Sequence, residues 1–325
     1  MQPSPASDRR TPLVDHTVPP RGPRRRPAAS SGRLRSSVVV SPAPWEYRRG
    51  GADLTDTVTT QHGCTRHGRV GGERGSRVVG APHPQLRSMV VRGYAGYPES
   101  TAVHGNFVLP ATAAVLVVLK MVDSSGRPPE FLSGPHVSRV RVDGACSPSY
   151  LELWLDPLGA YTLLGVSGAE VGGHLVDLSD VIGRRSRDLA DRIRDEPTWQ
   201  RRFGILDDFL LRNSETGPRP DPRVRRAWEC LVETGGAMPI GHIAADVGWS
   251  HKHLITRFTQ HLGLAPKTAA RLVRFDRVRA RVDVNPGASW GDVAADCGYA
   301  DQAHLTRDFR EFSGVTPTEY AAARR

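Results

Sequence analysis

The 325-residue chain is poor in cysteine, and the four it has form no pattern. Cys64, Cys146, Cys230 and Cys297 lie far apart with no C-x-x-C pair, which argues against a disulfide framework and a cysteine zinc site. The expected compartment is therefore the reducing cytoplasm. No apolar run reaches the roughly 18 residues of a membrane span. The longest, residues 111–119, fits a buried strand, and no apolar core follows the first charges as a secretory signal would require. Enzyme signatures are also missing: there is no G-x-S-x-G, no H-E-x-x-H, no P-loop and no G-x-G-x-x-G before a helix. Neither an enzymatic activity nor a cofactor is expected. A repair alkyltransferase would need a reactive cysteine, and Cys146 is followed by Ser-Pro-Ser, not set in the Pro-Cys-His context of such enzymes.

Hydrophobic residues make up only 38% of the chain, alongside 33 Gly and 26 Pro, so part of it cannot bury enough surface to offset chain entropy. That part is the start. Residues 1–83 read as a disordered basic tail, and residues 1–84 hold 14 Arg against six acidic residues. Most of the net charge of +10 sits there, so the bulk charge alone does not locate a nucleic-acid-binding part. His62-x-Cys64-x-x-His67 lacks a fourth ligand among its Gly and Arg neighbours, and no metal is expected.

From residue 84 the texture changes. Runs at 88–94, 106–109, 113–121, 138–142 and 150–155 are β-like and separated by Gly, Pro and Ser. A short helix is expected over 157–164. A longer one is expected over 197–211, where Trp199, Phe203, Leu206 and Leu210 mark one apolar face. Strands followed by helices imply an α+β domain over 84–215, a sensor or dimerisation module. An apolar pocket between its strands would take a small-molecule effector, with Trp154, Tyr161 and Trp199 as candidate lining. The Pro-rich stretch 216–222 reads as a linker to an all-α domain over 223–325.

Beyond the linker the chain repeats at about 50 residues. Ile243-Ala-Ala-Asp-Val-Gly-Trp249, with Leu254, Phe258, Gly263 and Pro266, is matched by Val293-Ala-Ala-Asp-Cys-Gly-Tyr299, with Leu305, Phe309, Gly314 and Pro317. Gly248 and Gly298 fit a tight turn at positive φ, and Ser250 and Asp301 are good N-caps for the helix that follows. Leu-x3-Phe forms a buried stripe, and Gly263 and Gly314 end each helix. Each copy is a helix-turn-helix, over about 239–262 and 289–313, joined by a connecting helix over about 268–282.

Residues 223–325 resemble the DNA-binding domain of the AraC/XylS family of bacterial transcription regulators. The strongest likeness lies in Ala294-Ala-Asp-Cys-Gly-Tyr-Ala-Asp-Gln-Ala-His-Leu-Thr-Arg-Asp-Phe-Arg-Glu-Phe-Ser-Gly-Val-Thr-Pro-Thr-Glu-Tyr320, the second unit. A weaker likeness, in Asp156-Pro-Leu-Gly-Ala-Tyr-Thr-Leu-Leu-Gly165 and the Trp199 helix, is to N-terminal sensory domains of an actinobacterial-type branch.

In such units the N-terminal part of the second helix faces base edges. Residues left over from the core are His251, Lys252, Ile255 and Thr256 in the first unit and Gln302, Ala303, Thr306 and Arg307 in the second. Gln suits adenine, Arg or Lys suits guanine, and Thr or Ala suits the thymine methyl. Arg271, Arg274, Arg277 and Arg281 on the connecting helix, with His304, are candidate phosphate contacts. Lys252 and Arg307 are open to either role. The expected partners are double-stranded DNA and RNA polymerase, with an effector of unspecified identity and a homodimer as further candidates, and no membrane. The expected place is the cytoplasm, on the nucleoid. A sequence-independent nucleoid protein is the alternative, and it would show a steep salt dependence with little discrimination.

Overall fold

The computed structural model describes residues 77–98, 107–122, 129–142 and 149–323. The expected tail up to residue 76, with His62, Cys64 and His67, lies outside the described residues, as does Cys146. The strands are β1 (Val78–Gly80), β2 (Val90–Tyr97), β3 (Phe107–Leu109), β4 (Val115–Lys120), β5 (Glu130–Ser133), β6 (Val140–Val142), β7 (Tyr150–Leu155) and β8 (Leu175–Asp177). Six form one antiparallel sheet in the order β1-β2-β7-β4-β5-β8, and β3 pairs with β6.

The folded part thus begins before residue 84. Residues 78–80, placed in the tail by composition, pair as β1 with β2, Val78 opposite Gly96 and Gly80 opposite Tyr94. Three residues carry no readable period; partner backbone and the Phe203 ring lying over Gly80 hold them. Strands β5 and β8 were equally unreadable. They are short, and β5 begins and ends on buried Glu130 and Ser133.

Strand β4 explains its own apolar run. Side chains alternate between sheet faces, and both faces of β4 are buried. Val115, Val117 and Leu119 join Leu151, Leu153, Leu155, Leu163, Ile193, Phe203, Leu206 and Leu210 in one core. Leu116 and Val118 join Ala114, Phe131 and Trp154 on the other side. Each fully buried Leu or Val contributes about 1.5–3 kcal/mol relative to exposure.

The helices are α1 (Pro157–Leu164), α2 (Gly168–Val171), α3 (Leu178–Ile182), α4 (Arg185–Asp195), α5 (Trp199–Thr216), α6 (Pro222–Glu233), α7 (Ile240–Asp246), α8 (His251–Leu262), α9 (Pro266–Val284), α10 (Trp290–Asp296), α11 (Gln302–Ser313) and α12 (Pro317–Ala322). Asp156 caps α1, accepting from the backbone N–H groups of Leu158 and Gly159. Its second oxygen accepts from Trp228 Nε1 of α6 at 2.5 Å. The stretch expected as a linker is only residues 217–221, and it is packed. A Cβ on Gly217 would overlap the Thr162 carbonyl, and Pro220 is buried. None of the helices is long and apolar enough to cross a membrane, among the described residues.

The expected apolar pocket does not gather its three aromatic residues. Trp154 lies under the Arg92 guanidinium, 4.4 Å from it, on one face of the sheet. Trp199 packs on Gly96 and Phe203 on the other face. Tyr161 meets His261 at the end of α8. The three aromatics are core or contact residues because each is needed where a different pair of elements meets. An open groove of about 440 Å³ lies between α4 and α5 and is lined mainly by charged side chains, Arg185, Asp188, Arg192, Arg212 and Glu215 among them.

Two buried carboxyls of the α+β part give it a pH dependence. Burial, above all other causes, pushes Glu152 on β7 up to about 7 and Asp156 up to about 6. A raised carboxyl favours the protonated folded state. The stabilisation is therefore complete below the unfolded values near 4 and is lost as pH rises through 6 and 7. Glu152→Gln mimics the protonated form. It is expected to melt above wild type at pH 8, with the difference closing by pH 5. Parallel melting curves across that range would count against this assignment.

Candidate nucleic-acid interface

The two repeats fold alike. Helices α7 and α10 each end in a glycine at positive φ, Gly248 (66°) and Gly298 (75°), conformations that a side chain would strain. The second helices restart on their caps. Ser250 Oγ accepts from the His253 N–H at 3.2 Å, and Asp301 accepts from the His304 N–H at 2.6 Å. Helix α8 buries Leu254, Phe258 and Leu262; α11 buries Leu305, Phe309 and Phe312. Both end in left-handed glycines, Gly263 and Gly314, and Pro266 and Pro317 then start α9 and α12.

This geometry places the expected base-reading residues on one outward face of each helix. His251, Lys252, Ile255 and Thr256 are exposed at the N-terminal part of α8. Gln302, Ala303 and Arg307 are exposed on α11, with Thr306 half-buried. Aligned on Leu254 and Leu305, Ile255 corresponds to Thr306 and Thr256 to Arg307. Thr306 Oγ1 donates back to the Gln302 carbonyl at 2.8 Å, as Thr256 does to Lys252 at 3.1 Å. At the position shared by Ile255 and Thr306, each helix carries a β-branched side chain with a methyl group.

The connecting helix α9 spans Pro266–Val284, about 28 Å at 1.5 Å per residue. Its arginines require a correction. Arg271 does not project into solvent. Its Nη2 lies 2.8 Å from Asp308 and 2.6 Å from Glu311 on α11, and its guanidinium covers the Phe312 ring at 4.7 Å. Hydrogen bonds to Asp308 and then Glu311 raise its already high pKa. Arg274 donates through Nη1 to the Gly236 carbonyl at 2.7 Å and lies over the Tyr299 ring. Arg271 holds α11 onto α9, and Arg274 ties α9 to the turn before α7 while covering Tyr299 of the second unit, so both guanidiniums face acceptors of the same chain in place of a phosphate.

Arg277 and Arg281 are exposed at the far end. The first donates to the Asp296 carbonyl at 3.0 Å and the second lies 3.4 Å from the Asp296 carboxylate. His304 is half-buried, edge-on to Tyr299 and 3.9 Å from Asp308. Arg279 is fully buried. The positioning pair Asp308 and Glu311 was missed in the sequence. Its signal is an acidic i, i+3 pair on the face of α11 that meets Arg271.

Residues 243–323 match the family model described as a helix-turn-helix domain. Among solved structures, the C-terminal domain of AraT, a response regulator from Geobacillus stearothermophilus, is 21% identical, with 33% of this chain and 89% of that one covered at a TM-score of 0.32. A transcriptional regulator with an AraC-type DNA-binding domain from Chromobacterium violaceum is 25% identical over 32% of this chain and 92% of that one, at a TM-score of 0.30. ToxT from Vibrio cholerae is 9% identical over 71% of this chain and 98% of that one, at a TM-score of 0.42. No curated protein matches the chain.

Proposed function

We propose that residues 243–323, which match the helix-turn-helix family model, form an AraC/XylS-type DNA-binding domain, and that the chain is a sequence-specific transcription regulator whose helices α8 and α11 enter successive major-groove segments. The observation that carries this reading is the matched exposure of the two helices. Each buries its Leu-x3-Phe stripe and turns its N-terminal polar face outward, and α9 joins the two. A rigid pair of unequal reading heads needs no palindrome.

In this reading Gln302 bonds adenine, Arg307 bonds guanine or a phosphate, and Ile255, Ala303 and Thr306 meet thymine methyls. His251, Lys252 and Thr256 read the other half element or hold its backbone. Arg277 and Arg281 remain phosphate contacts, since each is exposed and its partner is exposed too. His304 is a secondary one. The N-terminal α+β part modulates the output, through an effector or through pairing of two copies, and RNA polymerase is the machinery acted on.

The test is selection of bound fragments from a random DNA pool by the full chain. A bipartite motif is expected. Uniform binding with a steep salt slope would replace the regulator with a sequence-independent nucleoid protein. Gln302→Ala and Arg307→Ala are each expected to lose about 1–3 kcal/mol of discrimination at particular base pairs. Unchanged motifs in both variants would displace α11 from the groove.

A further inference from the structure

The α+β part touches both recognition helices, and it touches them at equivalent places. At the end of α8, Gly168 on α2 lies against the Leu262 carbonyl so closely that a Cβ there would overlap it, and Gly263 lies against the Gly168 carbonyl in return. The Tyr161 ring of α1 meets His261 edge-on, with centroids 5.5 Å apart. At the end of α11, the Ala111 N–H, just before β4, donates to the Phe312 carbonyl at 2.9 Å. That carbonyl is one of the last four of the helix, which lack partners within it. The Arg139 side chain, ahead of β6, lies across Gly314, where a cation complements the negative helix end. The core of the helical part extends into these contacts and includes Ala111, Ala113 and Leu158.

Helix α9 already joins the two heads. Arg271 and Phe275 fasten α11 to it, with Phe275 5.1 Å from Phe309 and 5.4 Å from Phe312 between ring centroids. Core packing on α9 resists separation of the heads, and small rotations about the turns at residues 263–265 and 285–289 are the freedom that this packing restrains least. A second body holding both heads closes the chain of contacts and removes that freedom.

We propose that Gly168, Ala111 and Arg139 are positioning residues for DNA recognition: by gripping the C-terminal ends of α8 and α11, the α+β part fixes the separation and rotation of the two reading heads and makes the chain selective for one spacing between its two half elements. The inference rests on the DNA-binding reading above and adds to it a source of spacing specificity that neither recognition helix contains. One added base pair turns a half element by about 34–36° around the duplex, more than a doubly held pair can follow without losing contacts.

The experiment uses the full chain and a library in which the two selected half elements are separated by varied numbers of base pairs. Wild type is expected to prefer one spacing by about tenfold or more over its neighbours, the scale of losing one good base contact. Gly168→Ala adds one methyl where the Leu262 carbonyl stands and forces α2 off α8. Arg139→Ala removes an exposed side chain from α11 and leaves the cores intact. In each variant the half-element sequences are expected to persist, while the spacing preference falls to about threefold or less. Should Gly168→Ala fail to fold, as judged by its circular dichroism, Arg139→Ala decides. Variants that keep the wild-type preference, or a wild type indifferent to spacing, overturn the inference and leave the regulator standing. A wild type that selects no half elements removes both.

Discussion

Arg279→Ala is expected to destabilise the protein by about 3–5 kcal/mol, the usual result of breaking a buried ion pair from one side. Arg279 is 1% exposed in the middle of α9. Its Nη1 lies 3.2 Å from Asp276, its Nε donates to the Tyr320 hydroxyl at 3.2 Å, and its guanidinium lies near the Phe275 and Tyr320 rings. Truncation leaves Asp276, itself buried, without its nearest counter-charge. The remaining cation is Arg92 on β2, whose charge also favours the ionised form of Asp276. Burial, and after it the Arg279 charge, push Arg92 down to about 9, so it stays charged at neutral pH. Urea unfolding of Arg279→Ala, of Asp276→Leu and of the double variant Arg279→Met with Asp276→Leu reads the effect. The double variant is expected to recover most of the loss, because an apolar pair of similar volume needs no desolvated charge. A single variant within about 1 kcal/mol of wild type would show that the pair is not isolated from water.

Phe309→Ala carries the second large effect, about 3–5 kcal/mol for a phenyl removed from a closed core. Phe309 is 1% exposed, and its ring lies 5.1 Å from both Phe275 and Tyr320, so one side chain joins α9, α11 and α12. Loss of that ring loosens α11 while the first head keeps Phe258 against Trp228. Footprinting at a temperature where the variant still folds is expected to show protection of one half element only. Equal protection of both would mean that α11 does not depend on this core for its place in the groove.

Much of the candidate interface was legible in the sequence because local chemistry determines it. A glycine at positive φ, a Ser or Asp cap and an apolar pair four residues apart act within a single turn of helix. Each has a direct counterpart in Gly248 and Gly298, Ser250 and Asp301, and the Leu254/Phe258 and Leu305/Phe309 stripes. The exposure of His251, Lys252 and Gln302 follows from the same arithmetic of faces. The basic run on α9 was legible as charge but not as purpose. Arg271, Arg274, Arg277 and Arg281 look alike in the sequence, yet the first two are committed to Asp308, Glu311 and Gly236, which lie some 35 to 40 residues away. Spacing along one helix says nothing about which acceptor the next helix will bring.

The N-terminal half was less legible for the same reason. Strand β7 and helix α1 announced themselves by their own pattern and the Pro157 start. Strands β1, β5 and β8 did not, because three or four residues acquire a β conformation from the strand beside them. The stretch 216–222 had the composition of a free linker, but tertiary contact placed Gly217 on Thr162 and buried Pro220. By itself, then, the sequence determined the two helix-turn-helix units and the face each turns outward, since both depend on interactions within a few residues. Only the tertiary structure decided which arginines are internal fasteners, that residues 78–80 join the sheet, and that the α+β part contacts the ends of both α8 and α11. Those facts rest on contacts between segments far apart in the chain, which no local period records.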